Sequence, residues 1–235
     1  MNVDLLVHQA WPAYEQHEHD GWVLRYAGGV TKRANSVLPL GVPADLGAAV
    51  AAAEAFYGER GQRCAFSIGT SAPAGLDAEL ERRGYDLVDP TVVMTLAQGR
   101  APAAAPGRAV RVEERPWPGW LETWWSVDGR YGGGFEEAER ICTGVPALYA
   151  AVEEDGVALA VGRGVPQDGA LGVYCMATRP EARRRGLARA VLRALLREGG
   201  APSAYLVTTR ANAAAQAVYR GEGFEITGGY HYRVR

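Results

Sequence analysis

The chain has 235 residues, 48% apolar and 22% charged, with 30 glycines and 13 prolines spread along it. That composition suits a folded globular protein and excludes a fibre or a long disordered chain. Its 25 basic and 27 acidic residues leave a net charge of −2, so no global field draws nucleic acid or an anionic membrane, and any anion site is local.

No apolar run reaches the ~18 residues that span a bilayer, and no basic-then-apolar leader opens the chain. The cysteines, Cys64, Cys142 and Cys175, lack metal or Cys-x-x-Cys spacing and suit a reduced cytoplasm, the expected location. From the start of the chain, His17-x-His19 lies among Glu15, Glu18 and Asp20 without a third spaced ligand. It reads as a polar loop, and no metal is expected. Gly21–Tyr26 and Asn35–Leu40 read as strands around a turn, and Leu46–Tyr57 as an alanine-rich helix. Arg63–Ile68 is the next strand, Ala74–Arg83 a second helix and Thr91–Leu96 a final strand. From Ala97 to Arg108 apolar periodicity stops, and two prolines and two glycines discourage a helix or strand. Residues 98–107 therefore read as a linker between a domain at 1–97 and a domain at 108–235.

In the second domain Val110–Glu114 alternates like a strand, and Gly119–Val127 and Phe135–Cys142 read as helices around the loop Asp128–Gly134. Leu148–Val152 and Val157–Val161 form a hairpin, because Asp155-Gly156 supplies the positive φ of a tight turn. Ala170–Thr178 is a third strand. Between Arg183 and Arg197 the residues Leu187, Val191, Leu192, Leu195 and Leu196 recur at helical spacing. Strand Ser203–Thr208, helix Ala213–Arg220 and strands at Phe224–Ile226 and Tyr230–Val234 complete a mixed α/β order. Both domains end helix, strand, helix, Gly-aromatic (Gly84-Tyr85 and Gly223-Phe224), strand, which points to a divergent internal duplication.

The densest chemical signal is the stretch from Met176 to Ala190, where a strand ends, Pro180 turns the chain and Arg183-Arg-Arg-Gly-Leu-Ala188 opens a helix. The first turn of a helix carries unpaired N–H groups and the positive end of the macrodipole. A glycine there lets a phosphate approach the backbone, and arginines add charge-assisted bonds. Three arginines at that end repel one another without an anion, so the pattern predicts a pyrophosphate cradle. It is no P-loop, since no Gly-Lys-Ser/Thr follows, and no Gly-x-Gly-x-x-Gly is present.

Arg183-x-x-Gly186-x-Ala188 resembles the acyl-CoA loop of the GNAT N-acetyltransferase superfamily, Arg/Gln-x-x-Gly-x-Gly/Ala. Asn212-Ala-Ala-Ala-Gln-Ala-Val-Tyr219-Arg-Gly-Glu-Gly223-Phe224 is similar to its second signature, Asn-x-x-Ala-x-x-x-Tyr-x-x-x-Gly-Phe. The resemblance covers about residues 108–235. It implies an α/β fold of two GNAT-like lobes, each with a central mixed sheet flanked by helices, and acetyl-CoA as acyl donor. It assigns backbone groups of Met176, Ala177 and Thr178 to the pantetheine arm. Arg183, Arg184, Arg185, Gly186, Leu187, Ala188 and Arg189 go to the pyrophosphate, and Asn212 to the cofactor near the splay of the strands ending at Thr178 and Thr208. Tyr219 is implied as the acid that protonates the departing thiolate, a role its free pKa of ~10 allows. The Met176 N–H is implied as the donor that holds the oxyanion.

Family members often carry a Glu on the strand equivalent to Gly172–Met176, but here it reads Gly-Val-Tyr-Cys-Met. Glu122, Asp128 and Glu136 are the remaining candidate bases, with a water chain as another route. Cys175 reads as a small apolar residue rather than a nucleophile. Trp117, Trp120 and Trp124 share a helical face. Trp124, Tyr131, Phe135 and Glu136 are the residues expected to line an acceptor pocket. Where the second domain has its cradle the first has Gly41-Val-Pro-Ala-Asp45, and Leu80 takes the place of Tyr219. The first domain is therefore expected to be a degenerate lobe. Asp20-Gly-Trp-Val-Leu-Arg25 and Arg33-Ala-Asn-Ser36 resemble the leading lobes of tandem GNAT proteins.

The expected function is direct transfer of acetyl from acetyl-CoA to a primary amine of a small molecule or amino-acid-like acceptor, by a monomer or homodimer with no nucleic acid or membrane partner. The alternatives are an aminoacyl-tRNA-dependent amide-forming transferase on the same fold, which the acidic balance disfavours, and a non-catalytic acyl-CoA-binding module.

Overall fold

The computed structural model describes residues 1–97, 109–129 and 134–235. The expected linker, residues 98–107, therefore lies outside the described residues. The chain packs as two units: Met1–Val92 with Thr209–Ala211 and Gly228–Arg235, and Val93–Thr208 with Asn212–Thr227.

The first unit opens with α1 (Val3–Ala10), which Asn2 caps by accepting from the Leu5 N–H at 3.2 Å. Strands β1 (Glu15–His19), β2 (Trp22–Tyr26) and β3 (Val37–Pro39) form an antiparallel meander. His17 and His19 thus sit on a strand, not in the expected loop: Glu15–His19 pairs residue for residue with Trp22–Tyr26, and the ladder outweighs its polar composition. Helix α2 (Leu46–Gly58) carries the chain to β4 (Ala65–Ile68), parallel to β3 at Val37↔Phe66. Helix α3 (Leu76–Arg82) and strand β5 (Asp86–Leu96) follow. Trp22, Leu24, Tyr57, Phe66, Leu76 and Leu80 fill the core beneath α2 and α3. Asn35 ties together both halves of the β2–β3 loop. Its Oδ1 accepts from Ala27 and Gly29, and its Nδ2 donates to Val30 and Thr31 carbonyls. Buried Arg25 donates to Ser36 O at 2.9 Å and Ser36 Oγ at 2.7 Å. The two sequence stretches singled out in this lobe are therefore tied together.

The second unit holds β6 (Arg111–Glu113), α4 (Pro118–Asp128), α5 (Phe135–Cys142), β7 (Leu148–Glu154), β8 (Val157–Gln167) and β9 (Ala170–Thr178). A single 3-10 turn, Pro180–Ala182, precedes α6 (Leu187–Gly199), β10 (Ser203–Thr209) and α7 (Ala213–Gly221). Strands β6 to β9 are antiparallel neighbours, and β10 lies parallel to β9. Pro118 opens α4 at a position where its missing N–H has no partner to lose. On α6, Leu187, Val191, Leu192, Leu195 and Leu196 are buried, each such side chain worth about 1.5–3 kcal/mol of burial.

The last strand, β11 (Glu225–Val234), is one element where the sequence suggested two. Its residues from His231 to Val234 pair antiparallel with Ile68 to Ala65 of β4, inside the first unit. Arg233 there donates to Asp77 Oδ1 at 2.7 Å and to Tyr85 O at 3.2 Å. Among the described residues no helix is long and apolar enough to cross a membrane, and the three cysteines are free thiols.

Candidate active site

Strands β9 and β10 pair from Ala170/Ser203 to Val173/Leu206, and the register ends there. On its other edge β9 is irregular. Val161 opposes Ala177 and Arg163 opposes Tyr174, so Gly162 alone faces Cys175 and Met176. This is a β-bulge, two residues against one. Cys175 takes φ +53°, a conformation that costs a non-glycine residue energy and is kept where surrounding structure enforces it. A Cβ on Gly162 would lie 2.5 Å from Met176 Sδ and 2.8 Å from Val191 Cγ1. Gly162 therefore lets Met176 lie across β8 toward α6. The backbone at Met176 falls outside both registers of its strand.

The start of α6 is sharper than the sequence suggested. The expected helix from Arg183 begins at Leu187, because Arg184 (φ +60°) and Gly186 (φ +78°) are left-handed and Arg183 is extended. Gly186 is the N-cap and offers no side-chain cap. Ala190 N–H donates to Gly186 O at 3.1 Å, so the N–H groups of Leu187, Ala188 and Arg189 lie ahead of the helix's own ladder. A Cβ at Gly186 would meet nothing within 4 Å; the conformation, not packing, demands the glycine.

Part of the counter-charge that the arginines require comes from the chain itself. Arg185 Nη2 donates to Glu154 Oε1 at 2.6 Å and Oε2 at 2.7 Å. Arg189 Nε lies 2.6 Å from Glu222 Oε1, whose side chain is fully buried. Arg183 Nε donates to Thr178 O at 3.3 Å, and Arg183, Arg184 and Gly186 are exposed. Sequence reasoning missed both glutamates, since neither lies within the Arg-rich stretch.

Asn212 caps α7, its Oδ1 accepting from Ala215 N–H at 3.1 Å. That use accounts for an Asn at this position, and the residue is exposed. Tyr219, farther along α7, is buried against Phe224, ring centroids 6.2 Å apart. Burial pushes its phenol up to about 12.

On the opposite face, α4 brings its tryptophans to different ends. Trp117, at the N-cap, donates to Glu153 Oε1 at 2.7 Å. Trp120 is fully buried and donates to Ala150 O at 3.1 Å and Gly162 O at 3.3 Å. Trp124 is buried between Trp120 and Trp125, and among the described residues its indole N–H has no hydrogen-bond partner. Phe135 packs on Trp125 and is half-buried, Glu136 is exposed on the first turn of α5, and Tyr131 lies outside the described residues. Glu122 is engaged by Arg179 Nη2 at 3.0 Å. Asp128, at the end of α4, acts by charge on the bulge: after burial and Cys142, its carboxylate is one of the groups pushing the Cys175 thiol up.

The first unit has a different helix start. Asp45 caps α2 by accepting from Ala48 N–H at 2.9 Å, putting a carboxylate where α6 has a bare glycine. Leu80 on α3 is wholly buried.

The family model described as "Probable histone acetyltransferase Rv0428c C-terminal" matches residues 3–235. The chain belongs to that family. A Bacillus subtilis protein named "Uncharacterized N-acetyltransferase YobR" is 30% identical over 248 residues, spanning 99% of this chain and 97% of the relative. A GCN5-related N-acetyltransferase from Kribbella flavida superposes with a TM-score of 0.74 at 18% identity, covering 99% of this chain and 93% of that one. A tandem GNAT protein from the clavulanic acid biosynthesis pathway superposes with a TM-score of 0.65 at 13% identity, covering 100% and 87%. At such identities the two structures speak for the fold, and that fold is the mixed α/β GNAT plan. Family and relative together make this chain a GNAT-type acetyltransferase, an acyltransferase as its motifs implied.

Proposed function

We propose that this Rv0428c-type acetyltransferase moves an acetyl group from acetyl-CoA directly to a primary amine of a small molecule or amino-acid-like acceptor, using its second unit. The observation that carries the reading is the stretch of β9 beyond Val173. It has left β10, and at Cys175–Met176 it has also left the β8 register. Backbone groups there are available to a peptide-like ligand, and buried polar backbone finds partners wherever it can. The backbone of Met176, Ala177 and Thr178 pairs with the pantetheine arm. The uncapped N–H groups from Leu187 to Arg189, with Arg183, Arg184 and Arg185 around them, take the pyrophosphate.

The amine attacks the thioester carbonyl, the Met176 N–H donates to the oxygen as negative charge gathers there, and the carbon–sulfur bond breaks. Tyr219 gives its proton to the departing thiolate; a phenol at about 12 holds that proton until a thiolate forms. Asp128 takes the proton from the incoming amine. Glu122 is held by Arg179, and Glu136 is exposed on α5. Phe135 and Trp124 line the acceptor side, where the Trp124 N–H offers a donor.

The test is thermal melting of the full chain with acetyl-CoA, CoA and ATP, comparing wild type with Gly186→Glu. Binding to the folded state alone raises stability by RT ln(1 + [L]/Kd). A rise of several degrees with acetyl-CoA that the variant lacks, followed by amine-dependent thiol release, is the expected result. No rise in wild type, or amide formation that needs aminoacyl-tRNA and ignores acetyl-CoA, overturns it.

A further inference from the structure

A second chemical cluster lies inside the catalytic-type unit, and the reaction above does not use it. Cys142, the last residue of α5, places its Sγ 4.0 Å from Sγ of Cys175 on the β9 bulge. Arg163 of β8, directly opposite Tyr149 on β7, is fully buried, and its charge acts on both thiols. The Tyr149 hydroxyl donates to Cys142 O at 2.9 Å, which holds the end of α5 against the sheet.

We propose that Cys142 and Cys175 are an oxidation site, a dithiol that a small peroxide converts to a disulfide joining α5 to the bulge. The sulfur atoms need to close from 4.0 Å to about 2.05 Å, a change that side-chain rotation together with a small movement of the end of α5 supplies. Burial by itself would raise Cys142, but the hydrogen bond from Cys175 and the charge of Arg163 outweigh it and hold this thiol below its ordinary value. Burial and the neighbouring Cys142 push Cys175 up. The two thiols are therefore shifted in opposite directions, Cys142 down and Cys175 up, the order of a nucleophilic and a resolving cysteine.

The Cys142 thiolate attacks a peroxide oxygen, the O–O bond breaks, and the leaving hydroxide takes a proton to become water. The sulfenic sulfur is then attacked by Cys175, whose thiol proton leaves with the displaced hydroxide as a second water. Two thiols lose two electrons and one hydrogen peroxide gains them. The oxidant must be small, because Cys142 is fully buried and only an edge of Cys175 reaches solvent. Cys64, in the first unit, is the internal control: burial pushes it up to about 12, and the groups that act on it are Tyr85, Glu54 and Arg235.

The experiment treats the full wild-type chain with hydrogen peroxide, then unfolds it in N-ethylmaleimide and reads intact mass and peptides. The expected product has lost two hydrogens, takes one maleimide where the reduced chain takes three, and carries a Cys142–Cys175 linked peptide that dithiothreitol removes. Linkage is expected on the order of tenfold faster than oxidation of Cys64, in line with the dependence of thiol oxidation on thiolate character. Cys142→Ser and Cys175→Ala each abolish the linked species; either variant suffices if the other does not fold. Oxidation of Cys64 at an equal rate, or sulfinic acid at Cys142 or Cys175 with no linkage, overturns the proposal.

Discussion

Glu222, buried just after α7, takes Arg193 of α6 in a two-pronged pair, Nε to Oε2 at 2.6 Å and Nη2 to Oε1 at 3.0 Å. The same carboxylate also meets Arg189. One side chain thus fixes the first two turns of α6 against the segment that follows Tyr219. Glu222→Gln keeps the shape but loses the charge on which two guanidiniums depend. The expected outcome is a lower urea midpoint and a weaker thermal response to acetyl-CoA than wild type. A double-mutant cycle with Arg193→Met, showing a coupling between the two sites, separates the pair from general damage.

Tyr219→Phe keeps the buried ring and removes only the hydroxyl that would give the proton. Turnover with acetyl-CoA is expected to fall about 10²-fold, the low end for a lost general acid, with KM little changed. Equal turnover in the two proteins removes Tyr219 from the chemistry. The phenol's elevation also has a stability consequence. Its folded value lies above the unfolded ~10, so its contribution is complete below pH 10 and is lost as pH rises toward about 12. Wild type is expected to lose stability across that window more steeply than Tyr219→Phe in alkaline melting scans.

Gly186→Ala tests the helix start without adding bulk into a neighbour. The new methyl has open space around it, so the cost is the left-handed backbone, about 1–2 kcal/mol for an L-residue. Acetyl-CoA affinity is expected to fall more than stability does, measured by calorimetric titration beside a urea melt. An equal loss in both would place the glycine's role in folding alone.

Asp128→Asn tests the proton acceptor. Acyl transfer near neutral pH is expected to drop about 10²-fold, with the loss narrowing as pH rises and the amine sheds its own proton. A uniform loss at every pH instead assigns Asp128 to holding the end of α4.

His8 in the first unit is held neutral: burial and then the charge of Arg25 lower it from 6.5 to about 4. The depressed value means its contribution is present above pH 6.5 and drains away as pH falls toward 4, because the unfolded chain takes up the proton first. His8→Gln is expected to flatten the pH dependence of the urea midpoint between 6.5 and 4, leaving the midpoint at pH 8 nearly unchanged.

Much of this protein is written in local pattern. The apolar spacing of α6, the Asp155-Gly156 turn, the Gly-aromatic steps and the two spaced motifs from Arg183 and Asn212 are readable because each depends on neighbours a few residues away. The Asp45 cap of α2 is local in the same way, since its partner, the Ala48 N–H, lies three residues on. The tertiary structure alone decided where strand pairing stops, since the register of β9 is set by β8 and β10 together. A ladder's hydrogen bonds reward a polar stretch such as Glu15–His19 that composition would leave as loop. It also decided that Glu154 and Glu222 answer the arginines, and that Cys142 and Cys175 meet 33 positions apart. Coulomb attraction and burial act through space, and nothing in the spacing along a chain records which charge or thiol will be brought within reach of another.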